Sequence, residues 1–300
     1  MYNENIKSAF INDLPTDALK LIYKSLFSRT ENYETQLGKD IAEFNLQECL
    51  GLLDKLKPKS IISTGVFKSQ FGKYTKWAKE NCTPADKNYW VLVPVDDDFV
   101  RQSFEKRYVK DLDELTHIVN MSLDINYDKY VIYLLYMGIM GENCIEVCGL
   151  LRTDVKEKQR MINTERWIYT SIPDPLYELI TSKADLGLEF KSRNEDSPYF
   201  IKPFLTKKLL GNSINKSHIY SVFKKMNNRY SELTKEERDF TPTTIWRSGL
   251  FYSLYKIELT KDDLTNDDYK EVMEIYGLGV GSLPAVVKEY NLYRDVFWGG

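Results

Sequence analysis

Apolar side chains recur at helical spacing along most of this chain and at strand spacing in one short stretch. Behind Pro15-Thr16-Asp17, Leu19, Leu21, Ile22, Leu26 and Phe27 form a stripe that predicts a helix over 17–27. Ile41, Phe44, Leu46, Leu50, Leu53 and Leu56 continue the pattern in two short helices. After the break at Lys57-Pro58-Lys59-Ser60, a third helix is expected over 61–80. Ile62, Val66, Phe67, Phe71, Tyr74 and Trp77 make its apolar side. Residues 83–97 hold Pro84 and Pro94 around the β-prone Tyr89-Trp90-Val91-Leu92-Val93, and a domain boundary is expected within or just after them. Helices are expected next at 98–107, 111–122 and 126–139. Residues 160–170 switch to a hairpin pattern: Met161-Ile162, a turn near Asn163-Thr164-Glu165, then Trp167-Ile168-Tyr169. Helices resume at 173–183, 215–229, 243–257, 266–275 and 283–290. The fold class is therefore mainly α with a small β-hairpin or sheet.

The chain has 300 residues, 43% of them hydrophobic, which is enough to bury one large core or two ordinary ones. The longest apolar run, 130–140, is about half of the ~20 residues that a membrane-spanning helix needs. The N-terminus lacks the basic-then-apolar pattern of a secretory signal, so a cytoplasmic location is expected. Cys49, Cys82, Cys144 and Cys148 are too few and too scattered for a disulfide framework and read as reduced thiols. Two histidines, His117 and His218, stand in no metal-binding pattern, and no metal or cofactor is expected.

Charge changes the picture more. Lys plus Arg is 41 and Asp plus Glu is 44, a net charge of −3, so the chain is not coated in positive charge. Its cations are nevertheless segregated. Residues 55–80 carry Lys55, Lys57, Lys59, Lys68, Lys73, Lys76 and Lys79 against a single acid, Glu80. On a helix, Lys68, Lys73, Lys76 and Lys79 fall within an arc of about 140°. Residues 201–230 carry Lys202, Lys207, Lys208, Lys216, Lys224, Lys225 and Arg229 and no acid. Such faces suit phosphate contacts, and solvated helix surfaces look the same.

Three stretches resemble the tyrosine recombinases, or phage integrases. Residues 141–155, with Glu146 and Asp154 ahead of the β-rich segment, are similar to that family's first arginine box. Thr241-Pro242-Thr243-Thr244-Ile245-Trp246-Arg247 resembles its Thr-Pro-His-x-x-Arg box. Leu278-Gly279-Val280-Gly281-Ser282 with Tyr290 downstream resembles Leu-Gly-His-Ser-Ser and the nucleophilic tyrosine, for which Tyr293 is a rival. The resemblance covers roughly residues 30–293. It implies a helical core-binding, SAM-like DNA-binding domain over 1–90 and an integrase catalytic-like domain over 91–300, together forming a clamp around duplex DNA.

It also implies a disabled site. In the family a tyrosine attacks a phosphate, two arginines hold the charge that develops, and a hairpin lysine and two histidines assist. Here the first arginine falls on Asn143, the first histidine on Thr244, and the second on Val280 or Gly281. Lys158 precedes the hairpin rather than sitting in it. Only Arg247 keeps its residue type, and Tyr290 is the candidate tyrosine. The expectation is a non-cleaving, sequence-specific DNA-binding repressor of a prophage with no catalytic residue. The alternative is an active recombinase with a divergent site. Expected DNA contacts are Lys59, Lys68, Lys73, Lys76, Lys79, Lys207, Lys208, Lys224, Lys225, Arg229 and Arg247. The expected partner is duplex operator DNA, with room for a phage or host regulatory protein.

Overall fold

The structure, a computed structural model, describes residues 1–56, 58, 61–82, 87–94, 97–182, 196–203, 213–261 and 263–299. The chain forms two compact units, Met1–Phe104 and Glu105–Gly300. It is mainly helical, with one small antiparallel sheet.

The first unit holds α1 (Glu4–Asn12), α2 (Asp17–Leu37), a 3-10 turn at Ile41–Glu43, α3 (Leu46–Leu56) and α4 (Ile61–Asn81). Thr16 caps α2 by accepting the Leu19 amide, and Gly38 ends it in the left-handed region at φ 63. This helix runs ten residues beyond the expected Phe27. Its buried face is Tyr23, Leu26, Phe27, Thr30 and Glu34, so the expected stripe is rotated and Leu21 and Ile22 point to solvent. On α4, Phe71, Tyr74 and Ala78 are buried as a helical stripe, whereas Val66 is exposed. The β-prone Tyr89–Leu92 forms a 3-10 turn, not a strand. Trp90 packs on Phe71 at 4.5 Å between ring centres, and its Nε1–H donates to the Ile41 carbonyl at 3.3 Å. Trp90 and Val93 thereby join the first core, and the first unit extends past the expected boundary at residue 90.

An ion network lies inside this core. Lys7 is fully buried and its Nζ donates to both Glu34 oxygens at 2.5 Å. Glu34 also accepts the Ile41 amide at 3.1 Å and the Thr30 hydroxyl at 2.9 Å. Asp40 lies 3.9 Å from Lys7 and accepts the Tyr74 hydroxyl at 3.1 Å, which ties α4 to the network.

The second unit is built on α7 (Asn126–Tyr136), which is buried on nearly every side. It follows α5 (Asp97–Glu105), which straddles the division between units, and α6 (Leu112–Ser122). After it come α8 (Ile145–Gly149) and a sheet of β1 (Val155–Lys156), β2 (Met161–Asn163) and β3 (Ile168–Tyr169). The strand order is β1-β2-β3, all antiparallel. Ile162 stands opposite both Val155 and Tyr169. The expected hairpin is present, and β1 adds a strand that the pattern of apolar positions missed. Then come α9 (Asp174–Thr181), α10 (Lys216–Thr234), α11 (Pro242–Glu258), α12 (Asn266–Ile275) and α13 (Leu283–Phe297). Gly249 lets α11 approach α7 closely, because a Cβ there would strike the Tyr136 carbonyl. That same carbonyl accepts the Tyr276 hydroxyl at 2.8 Å. Among the described residues, no helix is long and apolar enough to cross a membrane.

Candidate functional site

In the first unit the expected contact lysines lie on the outer face of α4. Lys73 and Lys76 are exposed and Lys79 is half-buried. With Ser69, Gly72, Asn88, Trp90 and Val91, the lysines at 68, 73 and 76 line a groove of about 470 Å³ between α4 and the 89–92 turn. Lys68 behaves differently from the other two, because its Nζ donates to the Val93 carbonyl at 2.7 Å. That bond braces the turn and reduces the lysine's reach toward a phosphate. Lys59 lies outside the described residues.

In the second unit the expected cations are mostly spoken for. Lys224 is exposed on α10. Lys225 lies 3.6 Å from Asp128, and Arg229 pairs with Asp124. Lys207 and Lys208 lie outside the described residues. Lys216 donates to Asn143 Oδ1 at 2.7 Å. Partly exposed pairs of this kind exchange readily with solvent and are worth little individually. Lys224 has no ion pair of this kind among the described residues.

The family positions take the following geometry. Asn143 is exposed, in the left-handed region at φ 54. Thr244 works inside the capping box of α11, its Oγ1 accepting the Thr241 amide at 2.8 Å. Arg247 faces Glu289 of α13 in an ion pair, and Glu289 also accepts the Tyr108 hydroxyl at 2.5 Å. The Arg247 Nε is buried without a hydrogen-bond partner among the described residues. Val280 is 63% exposed at the start of a 3-10 turn. Tyr290 is 0% exposed, and its hydroxyl donates to Glu258, which Arg294 also holds at 2.9 Å. Burial first, then Glu258, push the Tyr290 phenol far above its ordinary range. Tyr293 is equally buried, donating to the Val109 carbonyl at 3.2 Å and to that of Lys110. Neither tyrosine presents its oxygen to solvent.

Sequence reasoning passed over the best-connected cation of this unit. Arg166, in the turn between β2 and β3, grips Glu146 through Nε at 2.7 Å and Nη2 at 2.9 Å. It also donates to the carbonyls of Gly138 at 3.0 Å, Glu274 at 3.2 Å and Ile275 at 2.5 Å. The last two close the C-terminus of α12, where a cation is favoured by the helix dipole. Glu146 raises the Arg166 pKa further. A single arginine in a turn carries no signal of this in the sequence; apart from the Tyr169 hydroxyl at 2.9 Å, its partners lie 20 to more than 100 residues away.

A lysine-bearing helical unit comes first, and a mixed unit with the box residues follows. This is a recombinase-like two-domain architecture with a DNA-binding core domain. Residues 1–80 match the family model described as MrpR, N-terminal core-binding domain. Residues 183–291 match the one described as MrpR, C-terminal catalytic domain. Two solved structures of the Tn1549 transposon integrase, each in complex with a circular intermediate DNA, align with 95% of this chain at 16% and 17% identity. The alignments cover 94% and 93% of those chains, with a TM-score of 0.37. No curated protein matches.

Proposed function

We propose that this chain is a sequence-specific, duplex-DNA-binding transcriptional repressor that maintains a prophage, on a recombinase scaffold that does not cleave DNA. It is a protein of the kind of the master lysis–lysogeny repressor of SPbeta-like Bacillus phages, which its sequence resembles. Its place is the cytoplasm of the bacterial host, on the nucleoid. The observation that carries the reading is Tyr290: fully buried, with its hydroxyl donated to a carboxylate. An attacking tyrosine must lose that proton next to a phosphate, and a neighbouring Glu258 opposes the loss.

Two further features support it. Arg247 is neutralised by Glu289. Asn143 and Thr244 stand where the family places an arginine and a histidine. Each missing oxyanion donor costs about 3–4 kcal/mol. Several together remove more than about 10⁴ in rate even with strong non-additivity. What survives is affinity: Lys73 and Lys76 supply phosphate contacts, and residues of the α4 face that reach the major groove supply sequence choice.

The test is a gel shift on fragments of phage genomic DNA, with a denaturing gel of the same samples. Tight, salt-sensitive binding to a few fragments with no covalent adduct is the expected result. An adduct that disappears in Tyr290→Phe would refute the reading and establish a working recombinase.

A further inference from the structure

The second unit carries a groove that the DNA-binding reading leaves unused. It holds about 1090 Å³ and runs between the loop before α8, the β2–β3 turn and the segment after α12. Asn143, Thr244, Arg247, Val280 and Tyr290 are not among its lining residues. Its volume stands at the upper end of the ~300–1,000 Å³ of small-molecule pockets, large enough to take a short extended segment.

Its chemistry is two-sided. Ile145, 67% exposed, and Leu151 present apolar surface in it. Glu142, Asp154 and Glu165 add three carboxylates. Arg166 is the single cation among the described lining residues, and Glu146 takes its charge. A polyanion is repelled by such a surface; a cation with an apolar neighbour is matched by it.

We infer that this groove is a docking site for a protein partner's peptide segment in which arginine or lysine alternates with apolar residues. The apolar side chains cover Ile145 and Leu151, and the cations meet Glu142 and Glu165. The groove shares the 141–155 stretch with the first family-like box, but Asn143, Thr244, Arg247, Val280 and Tyr290 do not line it, so the inference does not depend on whether the chain represses or cleaves.

The experiment uses the full chain and a fluorescein-labelled peptide of alternating arginine and leucine, followed by fluorescence anisotropy. The expected result is binding that weakens about tenfold in a Glu142→Gln, Glu165→Gln double variant. It weakens again when Ile145→Ser is added. An Asp263→Asn, Glu271→Gln variant, with the same charge change elsewhere on the unit, binds as the parent does. Duplex-DNA affinity, read in the same samples, is unchanged by the rim variants. Four outcomes would overturn the inference. The rim variants bind the peptide like the parent, or the control variant loses as much. A serine–leucine peptide binds as tightly as the arginine one. Duplex DNA binds the rim variants more tightly, which would make the groove part of a nucleic-acid surface.

Discussion

Replacing Lys7 with methionine keeps most of the side-chain volume of a fully buried lysine and deletes its charge. Glu34, itself 0% exposed, then loses the one cation that reached both of its oxygens at 2.5 Å and is left as an uncompensated carboxyl inside the first core. Breaking one side of a buried pair costs about 3–5 kcal/mol, because the other charge is left uncompensated. The Thr30 hydroxyl and Ile41 amide still reach Glu34, so the lower half of that range is expected. The assay is amide hydrogen exchange on the full chain, read peptide by peptide. Amides of α1, α2 and α4 exchange about 10²-fold faster or more, and those of α7 and α11 do not change. Adding Glu34→Gln removes the stranded charge while keeping an acceptor for Ile41, and restores at least half of the loss. Burial already holds the Glu34 carboxyl above its ordinary value, against the pull of Lys7. A group with a raised folded pKa contributes its full stability below the unfolded value and loses it as pH rises through the folded one. Without Lys7 that loss deepens, so the variant's deficit is larger at pH 8 than at pH 5. A deficit under about 1 kcal/mol, or one independent of pH, would refute this account of the network.

The other predictions follow from the same geometry. Lys73→Ala with Lys76→Ala weakens binding to all duplexes and reduces the salt slope by about one unit per lost contact; an unchanged slope removes α4 from the interface. Lys68→Ala leaves that slope nearly intact but accelerates exchange in the 89–93 turn, since its bond to the Val93 carbonyl is lost. Gly249→Ala forces a Cβ onto the Tyr136 carbonyl and destabilises the second unit by about 1–3 kcal/mol in urea titrations, as overpacking does. Arg166→Lys keeps the charge but cannot span Glu146 and the end of α12 together, so a loss of thermal stability near that of Arg166→Ala is expected.

Much of the helical frame was legible because local chemistry and tertiary packing agree. Residues 266–275 form a helix as expected, with Thr265 and Asp268 closing a capping box at its start. The β2–β3 pairing was legible from alternating apolar residues on either side of a turn. Failures came where packing overrode local pattern. Leu21 and Ile22 fit one stripe, but the longer helix buries another that includes Thr30 and Glu34, whose polarity is matched by Lys7 from α1. Tyr89–Val93 has strand-like composition, yet no partner strand is present for it among the described residues, and Trp90 is drawn into the helical core. At the site, residue types at the family positions could be read directly. Whether Tyr290 and Arg247 face solvent could not, because Glu258 and Glu289 reach them from 32 and 42 positions away.

Cys49, Cys144 and Cys148 are buried, with burial pushing the Cys49 thiol up to about 12 and that of Cys148 to about 11. Cys82 is exposed, one residue beyond the end of α4. Thiolates, not thiols, attack maleimides, so under mild labelling the natural sequence is addressed at one place. A dye attached there sits at the C-terminal end of α4 and reports on whatever approaches that end, with no cysteine added or removed.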